Sequence, residues 1–365
     1  MKKLKIGLVG LSRGKGFLNV FAAHPDVEVS ALCDVDESRI DAVADGFAIN
    51  ERQCFTDYDG FLDAGMDAVM IATPIPMHTE HTVKALQSGR HVLCEQTMAY
   101  TVEECREVVD AVKKSGMKYM MAENYTYFDY VIQWKRMIDE GKLGKIYYAE
   151  GEYIHEIIQL LRDPDTGQYR WRHERPPIWY CAHTLGPLLT LMDDRVVAAC
   201  GLTTGFNKCP DYADHPGFLD IEIGLFKTQK GAIVKILRSQ VAARRHMVWY
   251  CLYGTHGHLE NSRIPKEKEG PGHSLFIDDP QTHTIAKGDE PIFYVNDKTA
   301  PPEAQKGGHG TSEYHLIREF INAIKEDRNP QIDVIRSCDF TLPGIVAHES
   351  AMQGGQWLDV PMFSW

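Results

Sequence analysis

The sequence of 365 residues lacks the features of membrane-spanning proteins and of nucleic-acid-binding proteins. No apolar run approaches the roughly 18 residues that a membrane-spanning helix needs. No cluster of basic residues is present, and the net charge of −12 would repel a phosphate backbone. We therefore expect no membrane association and no nucleic-acid partner.

The cysteines lack the spacing of a disulfide framework. They are nine, an odd number, and no C-x-x-C pair occurs among them. Cys33, Cys94 and Cys251 lie in apolar segments, where a thiol behaves as a small hydrophobic group. The start "MKKLKIGLVG" is basic and then apolar, but no small-residue cleavage site follows it. These features predict reduced thiols and a cytoplasmic location.

The first ~120 residues alternate between strand and helix patterns. Near-continuous apolar segments separated by amphipathic helices are typical of a parallel sheet covered on both faces. A chain of this length also exceeds one ordinary core, so we expect two domains. The five strand-like segments are LKIGLVG, VEVSALCD, MDAVMIAT, HVLCE and KYMMAEN.

The pattern changes after Asn124, where longer alternating segments follow one another with few helices between them. This indicates a mostly antiparallel open sheet with one solvated or helix-covered face. Residues 261–310 are rich in Pro, Gly and charge and predict surface loops, and two helices are expected near 312–326 and 335–353. The predicted fold is α/β, with a parallel-sheet domain over 1–123 and a second domain, with a mostly antiparallel open sheet, over 124–365.

The turn "GLVGLSRGKGF" follows the first strand. Glycines at this place let a dinucleotide pyrophosphate approach a helix N-terminus. Gly10 and Gly14 fit, whereas Ser12 fills the second glycine position. Asp34 ends the second strand, where an acid would bond the adenosine ribose and would favour NAD over NADP; the alternative is a helix cap. The predicted cofactor contacts here are Gly10, Ser12, Arg13, Gly14 and Asp34.

The segment "ATPIPMHTEH" follows the third strong strand. Thr73 and Pro74 end the strand and His78 opens a helix, and this end of a parallel strand faces the ligand crevice. Cofactor contact and a plain helix cap both remain open for this segment. His78 and His81 are three apart, but no nearby cysteine or acid completes a ligand set, so we predict no metal site.

The segment "HVLCEQTMAYTVEE" runs from a strand through the polar kink Glu95-Gln96-Thr97 into a helix. Together with the glycine turn, Asp34 and "ATPIPMH", this order resembles the Gfo/Idh/MocA family of oxidoreductases, which normally has Glu-Lys-Pro at the kink. The resemblance implies a Rossmann domain, a bound nicotinamide cofactor contacted by Glu95 and Gln96, and a homodimer or homotetramer formed through the C-terminal sheet.

The segment "IWYCAHTLGPLL" is similar to the Tyr-x-x-His-x-Leu-Gly-Pro of family members that act on glycosides. The matching residues are Tyr180 and His183. Most family dehydrogenases carry an aspartate four residues before the histidine, and here that residue is Trp179. The usual lysine–aspartate–histidine set is therefore missing at two positions.

Oxidation of a sugar hydroxyl needs a base for the O–H proton, and Gln96 can donate a hydrogen bond but cannot be that base. Tyr180 and His183 are the candidates, because residues three apart share a face where the backbone is helical. A histidine titrates near neutrality, whereas a phenol needs its pKa lowered by a nearby cation. The alternative is that Tyr180 packs under the sheet and His183 caps the next helix.

Other polar residues are candidates for contacts with a sugar. Tyr153 and His155 share one face of a strand, for which the alternative is a solvated sheet face. Arg172 lies in a loop that leads to Tyr180, and a plain loop without substrate contact is the alternative. His309 precedes a helix, where the resemblance to glycoside-acting relatives implies a site histidine. Asn124 ends the fifth strand, where it would touch the nicotinamide or the sugar.

The sequence thus predicts an NAD-dependent oxidoreductase acting on a CH–OH group of a sugar or glycoside. One alternative is a redox-neutral, NAD-dependent glycoside hydrolase or lyase that retains its cofactor. The other is a family member that binds the cofactor without catalysis.

Overall fold

The computed structural model describes residues 3–47, 49–242, 246–263, 273–278, 285–287 and 295–365, with the backbone alone for 273–278 and 285–287. The chain forms two compact units. The first unit comprises Met1–Tyr127, Asn296–Cys338 and Phe363–Trp365, and the second comprises Phe128–Val295 and Asp339–Met362. This division differs from the predicted one mainly in that residues 296–338 pack with the first unit.

The first unit contains a six-stranded parallel sheet in the order β3-β2-β1-β4-β5-β6. The predicted parallel sheet is confirmed, and its strand order reverses at β1, where doubly wound sheets bind their ligands. Strand β3 was not predicted because it has only two residues. The strands are β1 (Leu4–Val9), β2 (Val27–Cys33), β3 (Cys54–Phe55), β4 (Ala68–Ile71), β5 (His91–Glu95) and β6 (Tyr119–Ala122).

The second unit contains a mixed, mostly antiparallel sheet in the order β14-β13-β12-β11-β7-β10-β9-β8-β15, in which β7 and β10 pair in parallel. This confirms the predicted class of sheet. Two of its strands lie within 261–310, where the sequence predicted loops. They were missed because their apolar stretches are short and have charged residues on both sides. The strands are β7 (Ile146–Ile154), β8 (Val196–Thr203), β9 (Glu222–Thr228), β10 (Ile233–Ser239), β11 (Met247–Gly254), β12 (Gly257–Asn261), β13 (His273–Asp278), β14 (Ile285–Lys287) and β15 (Leu358–Asp359).

The helices begin and end largely where local signals predict. Helix α5 starts at a capping box, in which the Thr101 hydroxyl accepts from the Glu104 N–H and the Glu104 carboxylate accepts from the Thr101 N–H. It stops at Gly116, whose φ is 69°. The helices are α1 (Leu11–Ala23), α2 (Glu37–Ala44), α3 (Tyr58–Leu62), α4 (His78–Gln87), α5 (Val102–Ser115), α6 (Asp129–Asp139), α7 (Ile158–Leu161), α8 (Ala182–Met192), α9 (Ser312–Lys325) and α10 (Val334–Met352).

None of the helices in the described ranges is both long enough and apolar enough to cross a membrane.

Helix α8 is packed tightly against the sheet of the second unit. Its residues Leu185, Leu188 and Leu189 are completely buried. Gly151, in the middle of β7, allows the close approach, because a Cβ there would lie 3.1 Å from the Thr184 Cβ and 3.2 Å from a Leu188 methyl group. The packing therefore fixes the start of α8, which carries His183.

We predict that Gly151→Val lowers the free energy of unfolding of the second unit by about 1–3 kcal/mol, because the added methyl groups overpack the interface between β7 and α8. Urea unfolding followed by tryptophan fluorescence measures the change. Gly46→Ala is the matched control, since no heavy atom lies within 4 Å of a Cβ there. An unchanged unfolding midpoint for Gly151→Val would contradict this packing.

Candidate active site

The turn between β1 and α1 has the shape of a phosphate-binding turn. Gly10 has φ of 88°, and a Cβ there would lie 2.6 Å from the backbone carbonyl of Ala72, so only glycine fits. At Gly14 a Cβ would meet a Leu8 methyl group at 2.6 Å, and α1 therefore packs closely on β1. Ser12 has an exposed side chain in the first turn. This bare turn at a helix N-terminus fits the pyrophosphate of a dinucleotide.

Asp34 is buried at the end of β2 and ties that strand to the glycine turn. Its carboxylate accepts hydrogen bonds from the Leu11 N–H at 2.8 Å and the Asp36 N–H at 3.0 Å, and Arg39 lies 3.4 Å away. The helix-cap alternative for Asp34 is wrong, because Asp36 caps α2 through the Ser38 N–H. The position of Asp34 beside the turn fits an adenosine ribose.

His78 holds two strand-end loops together. Its ring is completely buried, with Nδ1 2.8 Å from the Thr97 carbonyl and Nε2 2.9 Å from the Thr73 carbonyl. Burial lowers the pKa of His78, although the two carbonyls oppose the shift. The helix-cap alternative is not observed, because Met77 holds the N-cap position of α4. Contact of a cofactor with the backbone of this loop stays a prediction. His78 positions Thr73 and Pro74.

His81 packs against Tyr58 and Thr73. Its ring stacks on Tyr58 with centroids 4.1 Å apart, and its Nδ1 lies 3.3 Å from the Thr73 hydroxyl. Burial lowers the pKa of His81 to about 4, which keeps the ring neutral.

The kink after β5 is buried and linked to the glycine turn. The Glu95 carboxylate accepts from the Gln96 N–H at 3.0 Å and forms an ion pair with the Arg13 guanidinium at 2.7 Å. This contact is close but poorly aligned for a hydrogen bond. The peptide bond between Gln96 and Thr97 is cis. Gln96 thus brings a neutral amide to the place where the related family carries a lysine.

Arg13 also reaches Glu313, which the sequence analysis missed. The Arg13 guanidinium lies 2.7 Å from the Glu313 carboxylate, and the His309 Nδ1 lies 3.0 Å from the same oxygen. Burial raises the pKa of Glu313, but His309 and Arg13 outweigh it and hold the pKa at about 2. The structure therefore brings His309 together with Arg13, two predicted residues that lie 296 positions apart.

Asn124 is buried beside a second acid that the sequence analysis missed. Glu123 is completely buried, and its carboxylate accepts from the Tyr125 N–H at 3.1 Å. Burial raises the pKa of Glu123 to about 8. The apolar strand pattern concealed this residue, because an acid at the end of a buried strand gives no periodic signal.

In the second unit, Tyr180 and His183 converge as predicted from their spacing of three residues. Tyr180 ends a short 3-10 turn and His183 lies in the first turn of α8. Their rings are 5.2 Å apart and perpendicular. Tyr180 remains partly exposed, His183 is buried, and the Tyr250 hydroxyl donates to the His183 carbonyl. The alternative in which His183 caps α8 is wrong, since Cys181 holds the cap position.

Tyr153 and His155 belong to the same cluster. The Tyr153 ring lies 5.3 Å from His183 and 6.4 Å from Tyr180, and its hydroxyl is 2.9 Å from the His155 Nδ1. His155 lies one residue beyond β7 and stacks on His246 at 4.6 Å. Burial, followed by the neighbouring cations and imidazoles, lowers the pKa of His155 to about 4.

Two buried arginines complete this cluster, and neither was predicted. The Arg175 guanidinium lies 4.1 Å from the centre of the Tyr180 ring, and the Arg238 guanidinium lies 4.2 Å from the centre of the Tyr153 ring. Each arginine is only 1% exposed. Arg172 stacks on Trp171 at 4.1 Å, and its contact with a substrate stays a prediction. Arg175, three residues later, takes the place beside Tyr180.

Two family models match separate parts of the chain. Residues 4–123 match the oxidoreductase family with an NAD-binding Rossmann fold, and residues 217–365 match the C-terminal domain of glycosyl hydrolase 109. The curated relatives include glycosyl hydrolase family 109 proteins from Shewanella pealeana and Streptomyces coelicolor. Both are 25% identical to this chain, covering 100% and 99% of it and 86% and 83% of their own lengths.

Solved structures with a similar fold include a levoglucosan dehydrogenase in complex with NADH and L-sorbose, with a TM-score of 0.81 and 19% identity over the whole of both chains. An oxidoreductase domain protein from Kribbella flavida has a TM-score of 0.80 and 20% identity over 99% of this chain and 100% of its own. At this identity the likeness shows the fold. Residues 4–123 are thus similar to the NAD-binding Rossmann domain of the Gfo/Idh/MocA oxidoreductase family, and residues 217–365 are similar to the C-terminal domain of glycosyl hydrolase 109.

Proposed function

We propose that the protein uses NAD to oxidise a CH–OH group of a glycoside, with Tyr180 and His183 handling the hydroxyl proton. The observation that carries the proposal is the cluster of the second unit, in which these two side chains meet Tyr153 beside two buried guanidinium groups. The NAD-binding Rossmann domain supports the redox half of the proposal.

Residues of the first unit would hold the dinucleotide. The backbone at Gly10 would bind the pyrophosphate, Asp34 the adenosine ribose, and the kink at Glu95 and Gln96 the nicotinamide end. When bound, NAD supplies the hydride acceptor. The carboxylate of Asp34 favours NAD, because it repels the 2′-phosphate of NADP; Arg39 at 3.4 Å only partly offsets this charge.

The proton chemistry is assigned to the second unit because Gln96 cannot accept a proton at ordinary pH. A phenol accepts a proton only as its phenolate, so negative charge lies on the phenolate oxygen before the transfer and builds up on the sugar oxygen as its proton leaves. Arg175 stacks at 4.1 Å on the Tyr180 ring, and Arg238 lies 5.5 Å from it. Fixed cations in a water-poor environment stabilise such negative charge. His183, whose ring is edge-on to that of Tyr180, would then exchange the proton.

The net reaction is better described as glycoside cleavage than as sugar oxidation if the hydride returns to the product. This second candidate is favoured by the match of residues 217–365 to the glycosyl hydrolase 109 C-terminal domain. Oxidation of a CH–OH carbon to a ketone would acidify the C–H beside it, and loss of that proton would expel the aglycone and leave a double bond. Water would then add to the double bond, and return of the hydride to the ketone would restore the alcohol. The same residues would serve both net reactions.

We predict that Tyr180→Phe lowers kcat on a cleaved or oxidised glycoside by about two to four decades, because it removes the phenolic proton acceptor and keeps the ring on Arg175. His183→Ala should lower kcat by at least about 100-fold, because it removes the imidazole that would exchange the proton with Tyr180. NAD affinity, measured by fluorescence titration, should not change in either variant. The control is Tyr169→Phe, an exposed tyrosine of the same unit, and wild-type rates in Tyr180→Phe would contradict the assignment.

The two net reactions are distinguished by measuring nitrophenol release and NADH absorbance in the same sample. With a panel of nitrophenyl glycosides and substoichiometric NAD, retained cofactor predicts many turnovers of nitrophenol release with no lasting rise in NADH absorbance. A dehydrogenase predicts NADH formation that stops when NAD is consumed. Neither signal with any sugar or glycoside, despite bound NAD, would leave the protein a cofactor-binding protein without catalysis.

We predict that Asp34→Asn weakens NAD binding by about tenfold, the effect of losing a charge-assisted hydrogen bond, and narrows the preference for NAD over NADP. The amide oxygen can still accept one of the two backbone N–H groups, so the fold should survive. Calorimetric titration with both cofactors gives the ratio. Asp36→Asn, which alters the neighbouring helix cap, is the control, and an unchanged ratio in Asp34→Asn would remove Asp34 from the ribose site.

A further inference from the structure

The hairpin of β11 and β12 carries three metal-ligating side chains that the proposed function does not use. Cys251, His258 and Glu260 each offer a ligand atom, and these atoms lie within 4.8 Å of one another. The hairpin includes the segment "GTHGHLE", which the function above leaves unexplained. We propose that these residues bind a divalent cation of the zinc type.

The strand register places the three side chains on one face of the sheet. Cys251 pairs directly with Glu260, and His258 pairs with Tyr253, two residues along β11 from Cys251. Side chains two apart on a strand share a face, so Cys251, Glu260 and His258 point the same way. The intervening pair, Leu252 and Leu259, is completely buried on the other face. The ligands therefore sit on paired strands, which hold them in fixed relation.

The side chains are already close to a coordinating arrangement. The Cys251 Sγ lies 3.2 Å from the His258 Nε2, near the separation of two ligands on one tetrahedral cation. The Tyr253 ring packs against the His258 ring at 4.5 Å and limits its rotation. Cys251 is buried, whereas His258 and Glu260 are partly exposed, so a cation can reach the group from that face.

The donor set selects the class of cation. A thiolate, an imidazole and a carboxylate provide one sulfur, one nitrogen and one oxygen, which suits zinc rather than calcium or magnesium. The carboxylate and thiolate together neutralise a divalent charge. Glu150 lies across the strand from Cys251 on its other side, but it is paired with Lys235. Three protein ligands leave a fourth position open, as in zinc sites that keep a water.

The test is a titration of the full-length protein with Co²⁺, after treatment with a chelator and desalting. We expect saturation at about one equivalent, a thiolate-to-cobalt band in the near ultraviolet and intense visible bands of tetrahedral Co²⁺, all removed by Zn²⁺. Cys251→Ser should abolish the near-ultraviolet band. His258→Gln and Glu260→Gln should each weaken Co²⁺ binding by at least about tenfold. Replacing a residue that only hydrogen-bonds to a metal ligand already lowers metal affinity by that factor.

The controls separate this site from the other cysteines and from loss of folding. Cys209→Ser removes another buried thiol of the second unit and should leave the spectrum unchanged. The circular dichroism spectrum of every variant, recorded without metal, reports on folding independently of the metal. If Cys251→Ser fails to fold, the partly exposed His258 and Glu260 variants still decide the matter. The proposal is overturned if the wild type shows no thiolate band, or if the band persists in the His258 and Glu260 variants with unchanged affinity.

Discussion

The burial of two guanidinium groups governs the chemistry of the second unit. Removing a cation from water costs several kcal/mol unless other groups compensate. Arg175 is compensated by the Tyr180 ring and by Gln240, whose side-chain oxygen accepts at 2.7 Å. Arg238 is compensated by the Tyr153 ring and by the Tyr153 carbonyl, at 3.1 Å. These contacts fix positive charge behind two phenol rings, and the surroundings therefore favour negative charge on oxygen. Burial first, and then the neighbouring imidazoles and guanidinium groups, lower the pKa of His155 to about 4.

Under the proposed function, this arrangement would offset the absence of a lysine at the kink, where the Gfo/Idh/MocA family normally has one. The kink carries the neutral Gln96, and Arg13 pairs with both Glu95 and Glu313. We therefore assign the proton chemistry to Tyr180 and His183, which lie beside the buried guanidinium groups of Arg175 and Arg238.

The parts of the structure that depend on local signals could be predicted from the sequence. The capping box of α5 and its glycine stop are set by residues within one helix, and Tyr180 and His183 are three apart at a helix start. Near-continuous apolar segments between helices predicted the parallel sheet, and longer alternating segments predicted the mostly antiparallel one. Asp34 was placed correctly at the end of β2, because a strand end beside a glycine turn is a short-range pattern.

The contacts that join distant segments could not be predicted in this way. Glu313 meets Arg13 only because α9 returns to the first unit, and Arg238 meets Tyr153 through the pairing of β10 with β7. Arg172 was named as a candidate and Arg175 was not, because the sequence pattern of this segment does not tell which of its arginines is buried. His78 was expected to open a helix, but that local pattern could not predict the contacts of its ring with the carbonyls of two different strand-end loops.

Under the proposed function, hydride leaves a sugar carbon before the glycosidic bond breaks. Transfer of deuterium from the sugar to the cofactor measures this step. A cleavable glycoside carrying deuterium at its ring CH–OH carbons, incubated with the enzyme and quenched within one turnover, should place deuterium in the cofactor, as measured by mass spectrometry. We expect deuterium-labelled NADH with the wild-type enzyme. Aglycone release that proceeds with unlabelled cofactor, and at the same rate in cofactor-stripped enzyme, would contradict it.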